Sequence, residues 1–262
     1  MKIFYSESKP DYGTYTFNYG IYCLMEELAE CDEIYNRGFL PYSGNIDLTH
    51  SIFYLARSLR IDIDRFADTS ENRRVNRKIE PLEIELECLS KSALLNADPH
   101  FHSFASHYVQ ERIGDQMPLS RLEYILTRPV GTHVFKFSQG DHPVGYVLAY
   151  LSRKALHYWF SFFDTELMKS HALGKWMMWR IIKWAQEQNL NNVYLGTAYG
   201  TKSLYKIRDH KGLEFFDGSG WNTDINLLKA WCKKDGEAHW GDRLKATEDM
   251  NTYVERILMQ SN

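Results

Sequence analysis

The sequence predicts an α/β (α+β) protein of two linked lobes, with a mixed sheet flanked by helices in the C-terminal lobe. Three observations lead to this prediction. The chain has 262 residues, which suits one large domain or two medium ones. Three strand patterns, a long amphipathic helix and a short strand follow one another between Gly131 and Gly196. The N-terminal half mixes strands and helices similarly, so we divide the lobes into residues 1–98 and 99–262.

Composition excludes several classes of protein. Hydrophobic residues make up 44% and charged residues 25%, the balance of a folded, soluble chain. The net charge of -3 argues against broad coating of nucleic acid, so any such contact must be a local basic patch. The four cysteines form no CxxC pair and predict buried or bystander thiols without a metal site. Since no run of about 18 apolar residues occurs, we expect a cytoplasmic protein without membrane contact.

The N-terminal lobe is predicted in order from its hydrophobic spacing. Tyr19–Tyr35 has apolar residues at helical spacing and ends near Gly38, a residue suited to a helix C-terminus. Two strands, a basic helix capped by Thr69 or Ser70, and a further helical stretch follow. These elements cover Ser51–Tyr54, Ser58–Asp64, the region of Arg73–Lys78, and Pro81–Pro99.

The C-terminal lobe is predicted in the same way. Two helices lead into it, one over His100–Ile113 and one between Pro118 and Pro129. The strongest helix pattern in the chain is Leu173–Gln188. The remaining elements are the strands Thr132–Phe137, Val144–Ser152, Leu156–Phe163 and Val193–Gly196, and a last helix over Leu244–Met259.

The entry to the helix Leu173–Gln188 is informative about the donor. The order of three strands, a helix and a strand resembles the core of GNAT-type acyltransferases. Enzymes of that type hold the acetyl-CoA pyrophosphate on backbone N–H groups at this helix start, with a Q/R-x-x-G-x-G/A loop. Here Gly174 supplies the second glycine, but Ala172 stands in place of the first. We therefore expect a loop altered for a different donor.

A series of short motifs runs along the chain. The alternating strand Ser58–Phe66 precedes a basic helix start, Ser70–Lys78. The other motifs are Asn36–Gly44, Tyr158–Asp164, Ala172–Gly174, Tyr194–Gly196 and Lys202–Lys206. In this order they resemble the arginyl/leucyl-tRNA–protein transferase family, which has an L-R-V-x-V strand followed by an R-R-V-x-R-R helix start.

The resemblance implies a reaction and its partners. Such enzymes move an aminoacyl group from the 3′ ester of tRNA to the α-amine of a protein or peptide, a step of N-degron formation. They need no cofactor beyond aminoacyl-tRNA as co-substrate. The sequence departs from the family's cysteine motifs, since Ser6, Glu7 and Lys9 occupy the first region and Tyr54 and Arg57 lie near the second. No metal cluster is expected there.

Candidate site residues follow from the same motifs. Asp164 and Tyr158 are the predicted catalytic residues, with Asp164 orienting the amine or accepting its proton; a helix-capping aspartate is the alternative. Phosphate binding favours Lys and Arg. The predicted substrate and tRNA contacts are Lys202, Tyr205, Lys206, Arg73, Arg74, Arg77, Leu173, Gly174, Tyr194 and Gly196. For the three arginines, pairing with Glu80–Glu87 is the alternative. Aromatic residues of the strands, Tyr158, Trp159, Tyr194 and Tyr199, are predicted either to stack on the terminal adenine or to fill the core.

Two other functions stay open at this point. One is N-acetylation from an acyl-CoA, and the other is non-catalytic binding of protein N-termini or RNA. His100, His102 and His107 lack partners at metal-ligand spacing, so we predict surface histidines.

Overall fold

The computed structural model describes residues 1–13 and 15–235; the predicted helix Leu244–Met259 lies outside them. The strands of the described residues are β1 Lys2–Asp11, β2 Thr16–Leu24, β3 Phe39–Pro41, β4 Ile52–Leu55, β5 Ser58–Asp62, β6 Ile84–Ser90, β7 His133–Gln139, β8 His142–Leu151, β9 Ala155–Phe163, β10 Asn192–Thr197, β11 Leu213–Phe216 and β12 Trp221–Asn222. The helices are α1 Cys31–Asn36, α2 Ser70–Ile79, α3 Lys91–Ala97, α4 His100–Arg112, α5 Leu119–Thr127, α6 Thr165–His171, α7 Leu173–Glu187, α8 Leu204–Arg208 and α9 Ile225–Lys234.

The strands form two sheets. The smaller has four strands in the order β1-β2-β4-β3, all antiparallel. The larger has eight strands in the order β12-β11-β5-β10-β9-β8-β7-β6. Within it, β9 and β10 are parallel and every other neighbouring pair is antiparallel. The predicted mixed sheet flanked by helices is confirmed.

The predicted division after residue 98 does not coincide with an edge of either sheet. Strands β5 and β6 both precede it, yet β5 pairs with β10 and β6 pairs with β7 in the larger sheet. The alternation that makes β5 a strand is local, but its partner lies more than 100 residues further along the chain. A mixture of predicted strands and helices does not reveal such a pairing, and the division into residues 1–98 and 99–262 stays a prediction.

Two predicted helices are largely wrong. Tyr19–Leu24 belongs to β2, and helix is limited to a 3-10 turn at Leu28–Glu30 and to α1, Cys31–Asn36. Tyr and Ile suit a pleated surface as well as a helix, and pairing with β1 and β4 decides between them. In Pro81–Pro99, the segment Ile84–Ser90 is the strand β6, whose glutamates alternate with half-buried apolar residues. The helix there is limited to α3. The other predicted helices and strands of residues 1–235 are confirmed to within a few residues at their ends.

Helix α7 supplies the centre of the main core. Leu173, Met177 and Ile181 are fully buried on its inner face, which packs against β9 and β10. Gly174 permits the close approach at its first turn, because a Cβ there would lie 2.7 Å from the Phe163 ring of β9. No helix of the described residues is long and apolar enough to cross a membrane.

The smaller sheet packs against the larger one through Tyr35 of α1. This residue is fully buried, and its ring stacks on Tyr194 of β10 with centroids 5.1 Å apart. Its hydroxyl hydrogen-bonds to Nδ1 of His157 on β9 at 3.0 Å. Phe53 of β4 contacts the same ring edge-on. The smaller sheet is therefore held beside the adjoining strands β9 and β10.

The four cysteines are free thiols, and three of them are buried: Cys23, Cys31 and Cys232. Burial raises the pKa of Cys31 to about 12 and that of Cys88 to about 11, so both stay protonated at neutral pH. The predicted burial is confirmed for Cys23, Cys31 and Cys232, while Cys88 is partly buried.

We expect Ala172→Gly to stabilise the protein. Ala172 links α6 to α7 with φ 59° and ψ 41°, the left-handed region that costs a residue with a Cβ about 1 kcal/mol. Part of this gain is lost to the greater freedom of glycine in the unfolded chain. Urea unfolding should show a net gain of about 0.5 kcal/mol.

Gly174→Ala is the matched control two residues along. Its Cβ would meet the Phe163 ring, so we expect a loss of at least about 1 kcal/mol in the same titration. A loss of stability in Ala172→Gly would contradict the strain assigned to residue 172.

Candidate active site

A cavity of about 670 Å³ opens between β9 and β10. It is large enough for a small-molecule substrate or the end of a larger one. The two strands contribute the floor, with β9 supplying His157–Ser161 and β10 supplying Leu195–Thr197. The remaining lining comes from β3 and β4 (Leu40, Pro41, Tyr54), α4 and the residue after it (Tyr108, Arg112, Ile113), the segment from Phe163 to α7 (Phe163, Met168, Ala172, Gly174, Lys175, Met178) and α8 (Tyr205, Lys206).

The cavity exists because β9 and β10 stop pairing partway along their length. Their parallel register runs from Asn192 opposite Ala155 to Tyr194 opposite His157 and then ends. Immediately afterwards β9 contains a bulge at Trp159, where its register with β8 shifts. On the other side, Gly196 of β10 has φ +80°, a conformation that favours glycine. The strands separate, and the residues beyond have no strand partner across the gap.

Lys206 is the cationic group at the base of the gap. It extends from α8 and donates a hydrogen bond from Nζ to the Thr197 carbonyl oxygen at 3.3 Å. Nζ also lies 3.5 Å from where a Cβ on residue 196 would sit, so the glycine keeps this space open. Burial lowers the pKa of Lys206 to about 8, and the described residues place no carboxylate in ion-pair contact with it. At neutral pH it is mainly a cation that, within the described part of the chain, has the Tyr205 ring at 5.9 Å but no counter-ion.

Lys175 in the first turn of α7 has the opposite electrostatic environment. Its Nζ lies 2.8 Å from Glu71 Oε1 and 2.8 Å from Asp209 Oδ2. Burial opposes the charge, but hydrogen bonds to Asp209 and Glu71 outweigh it and raise the pKa of Lys175. Arg74 and Lys175 together lower the pKa of Glu71 to about 2. The charge of Lys175 is thus balanced by the protein itself.

The polar groups of β9 in the cavity wall are neutral. Burial lowers the pKa of His157 to about 3, so its imidazole is uncharged and held by Tyr35. Burial also raises the pKa of the Tyr158 hydroxyl well above its usual range. The ionised side chains in the wall are Arg112, Lys175 and Lys206, and the described lining includes no carboxylate. The cavity is an apolar, aromatic site with a positive bias.

Five of the predicted site residues come together in this wall: Tyr158, Gly174, Gly196, Tyr205 and Lys206. Leu173 and Tyr194 are buried in the core beside it, where Leu173 anchors α7 and Tyr194 stacks on Tyr35. Lys202 is exposed and lies outside the lining.

Asp164 takes the structural role that the sequence left open as an alternative. It is the N-cap of α6, and its Oδ1 accepts a hydrogen bond from the Leu167 backbone N–H at 2.7 Å. The residue lies outside the cavity wall, and its role in proton transfer stays a prediction.

The three arginines of α2 are exposed and lie outside the cavity lining. Arg74 pairs with Glu71 at 2.7 Å, and Arg73 donates to the Asp68 carbonyl oxygen at 3.0 Å. Pairing of Arg73, Arg74 or Arg77 with Glu80–Glu87 does not occur among the ion pairs of the described residues. Their predicted contact with an acidic acceptor residue or phosphate stays a prediction.

Sequence reasoning missed several wall residues. Arg112 and Tyr108 belong to α4, which carries no motif, and only packing of α4 on β9 brings them to the cavity. Leu40 and Tyr54 enter from the smaller sheet. Lys175 directly follows the Ala172–Gly174 motif, so this motif could have been used to predict Lys175 as a wall residue. The predicted surface histidines are confirmed, since His100, His102 and His107 are all exposed.

Comparison with known proteins gives a consistent set of relatives. Residues 71–206, just over half of the chain, match the family described as acetyltransferase (GNAT) domain. An aspartate/glutamate leucyltransferase of Saccharophagus degradans is 27% identical over 176 residues, 64% of this chain and 71% of the relative. A protein of the same name from Rhodospirillum rubrum is 32% identical over 130 residues, 46% of this chain and 52% of the relative. Among solved structures, L-PGS from Bacillus licheniformis has a TM-score of 0.43 at 9% identity, over 76% of this chain and 68% of that one.

The family match and the two named relatives confirm the resemblance drawn from the short motifs. They also confirm the predicted class of enzyme, an aminoacyltransferase with a GNAT-like fold. The family match over residues 71–206 includes both the strand β9 and the start of α7.

We expect Lys206→Met to stabilise the protein at neutral pH. The pKa of Lys206 is about 8 in the folded state against 10.5 for a free lysine. Below pH 8 Lys206 is protonated in both the folded and the unfolded state, so the cost of burying its charge is fully present. Between pH 8 and pH 10.5 this cost falls as pH rises, because the unfolded chain binds more protons than the folded one. The variant should gain up to about 3 kcal/mol at pH 7.

The measurement is urea unfolding from pH 7 to 10.5, with the difference between variant and wild type shrinking toward the upper end. Lys202→Met removes an exposed lysine of the same segment and should show no such trend. A difference that stays constant with pH would contradict the low pKa of Lys206.

Proposed function

We propose that this chain, which belongs to the acetyltransferase (GNAT) family, transfers leucine from leucyl-tRNA to the α-amine of a protein or peptide with an acidic N-terminal residue. The names of the two leucyltransferase relatives supply the donor and acceptor as a starting hypothesis. The observation that carries the proposal is the composition of the cavity wall. Its described residues are mostly apolar and aromatic, and they include cationic side chains but no carboxylate.

The wall favours a leucyl over an arginyl donor. A leucyl side chain gains free energy by leaving water for the surfaces of Phe160, Met178 and Leu195. An arginyl guanidinium in the same place would need a buried carboxylate, and it would face the uncompensated charge of Lys206. The sequence motifs by themselves left this choice open.

The same charges suit an acidic acceptor. Arg112 is exposed at the end of α4, where its guanidinium can pair with a carboxylate that arrives from solvent. Lys175 is already neutralised by Glu71 and Asp209, so Arg112 is the better candidate for this contact.

By this proposal the enzyme works in the cytoplasm, in keeping with its free thiols.

The reaction is a direct aminolysis. The neutral α-amine attacks the ester carbonyl carbon, a C–N bond forms, and the bond from that carbon to the 3′ oxygen breaks. The amine gives up one proton and the departing 3′ oxygen takes one up, so no covalent enzyme intermediate or redox step is needed. The enzyme contributes positioning and stabilisation of the negative charge that develops on oxygen.

By this proposal Lys206 stabilises that charge. Its ammonium lies beside Gly196, where β9 and β10 separate and where the acceptor would enter between the strands. A developing oxyanion would supply the counter-ion that residues 1–13 and 15–235 do not, and a preorganised cation stabilises such a transition state. Tyr158 and neutral His157 can contribute hydrogen bonds from β9.

The direct test incubates the protein with total tRNA charged with labelled leucine or labelled arginine. Acceptors are peptides that differ only in their first residue: Asp, Glu, Gln or Lys. We expect label from leucyl-tRNA on the Asp and Glu peptides. A parallel reaction contains labelled acetyl-CoA and no tRNA; label from acetyl-CoA alone, or none from either donor, would contradict the proposal.

Lys206→Met should lower kcat for leucyl transfer by about 10²-fold, the usual effect of removing one group that stabilises an oxyanion. Since the variant is expected to be more stable than wild type, misfolding would not explain the loss. Lys233→Met, which removes an exposed lysine of α9, is the control and should retain full activity. Unchanged kcat in Lys206→Met would remove this residue from the mechanism.

A further inference from the structure

The outer face of the smaller sheet carries an aromatic row that begins at the cavity. The row consists of Phe4, Tyr22, Tyr42 and Tyr54. We propose that this row is a stacking platform for the unpaired 3′ nucleotides of the donor tRNA, which it guides into the cavity. The inference rests on the proposed function, because it assumes that the donor is a tRNA ester.

Strand register places the row on one face. Phe4 of β1 lies opposite Tyr22 of β2, Tyr22 opposite Tyr54 of β4, and Tyr54 opposite Leu40 of β3. Since alternate residues of a strand point to opposite faces, Phe4, Tyr22, Tyr54 and Leu40 share a face. Tyr42 follows β3 and joins the row through ring contacts with Tyr22 and Tyr54. The other face packs against the body of the protein at Cys23 and Phe53, but its β1 residues Ile3 and Tyr5 are exposed. Adjacent strands are about 4.8 Å apart, so the row extends for more than 10 Å.

The rings form a continuous surface. Centroids are 5.5 Å apart for Phe4 and Tyr22, 5.7 Å for Tyr22 and Tyr42, and 6.0 Å for Tyr42 and Tyr54. Gly20 and Gly44 allow the Tyr22 and Tyr42 side chains to lie close against the backbone. A Cβ on Gly20 would lie 2.7 Å from the Tyr22 ring, and one on Gly44 would lie 2.8 Å from the Tyr42 hydroxyl.

The row is joined to the active site. Leu40 and Tyr54 at its inner end also line the cavity, whereas Phe4 at its outer end is 40% exposed. If the terminal aminoacyl-adenosine occupies the cavity, the nucleotides before it must leave across the adjoining surface. Sheets that bind single-stranded RNA stack two or three bases on aromatic side chains of this kind.

The charges near the inner part of the row also favour RNA over an acidic peptide or protein partner. At the outer end Lys2 of β1 lies on the same face and is balanced by Glu26, 2.6 Å away, and Glu7 of β1 points to the other side. Arg121 lies next to the row: it donates to Ser43 Oγ at 3.0 Å, and its charge opposes the rise in the pKa of Tyr54 that burial causes. Arg112 lies further along at the cavity. Arg121 is the cation next to the row that could contact a phosphate between stacked bases, while Arg112 stays assigned to the acceptor.

The test uses the double variant Phe4→Leu with Tyr22→Leu, which keeps the sheet apolar but removes two rings. The matched control is Tyr5→Leu, which removes a more exposed ring from the opposite face of β1. Two donors are compared: full leucyl-tRNA, and 3′-O-leucyl-adenosine, which fits within the cavity alone. The KM of each donor and of the acceptor peptide is measured for the three proteins.

We expect the double variant to raise the KM for leucyl-tRNA about tenfold or more while leaving that for leucyl-adenosine unchanged, since stacking contributes strongly per base. Tyr5→Leu should match wild type with both donors. Equal effects on both donors, or an effect on the acceptor peptide alone, would overturn the inference.

A binding measurement separates this inference from the proposed function. Fluorescence anisotropy compares an uncharged RNA hairpin that carries four unpaired 3′ nucleotides with the same hairpin made blunt. Wild type should bind the overhang form more tightly, and the double variant should lose that preference. If wild type shows the preference but no transfer, the chemistry is wrong and the platform stands; transfer by wild type without the preference would overturn the platform.

Discussion

The separation of β9 from β10 after residues 157 and 194 is the constraint on which the rest of the site depends. Parallel strands that remained paired would satisfy each other's backbone groups and leave no room for a substrate. The bulge at Trp159 and the left-handed conformation of Gly196 end the pairing from both sides. Once the strands diverge, α7 starts close against β9 and α8 brings Lys206 to the base of the gap.

Tyr35 extends this arrangement to the smaller sheet. Its buried ring and hydroxyl contact Tyr194 and His157, the last residues of the paired segment. The same contact that marks the end of the parallel ladder therefore positions β3 and β4 as a wall of the cavity. An aromatic ring with a polar tip suits this role, because it fills the core and still satisfies the His157 imidazole.

Electrostatics divides the lysines of the site into two roles. Lys175 has two carboxylate partners and joins α7 to α2 and to the segment after α8. Among the described residues, Lys206 has the Thr197 carbonyl oxygen and the Tyr205 ring as neighbours but no carboxylate, so an arriving anion or a developing oxyanion would add to the stabilisation of its charge. Lys175 therefore has a structural role and Lys206 is the lysine proposed to act on substrate, although both lie in the wall of the same cavity.

Local sequence was sufficient for α7, β9 and the capped helix α2, because helical and strand spacing and capping are properties of neighbouring residues. Short motifs likewise identified Gly174, Gly196 and Lys206. The strand β2 was missed because its spacing suits a helix as well, and pairing with β1 and β4 decides the outcome. Arg112, Leu40 and the cation left unpaired at Lys206 depend on contacts between distant segments. Only the tertiary structure decides these, since charge balance and cavity shape belong to the assembled surfaces.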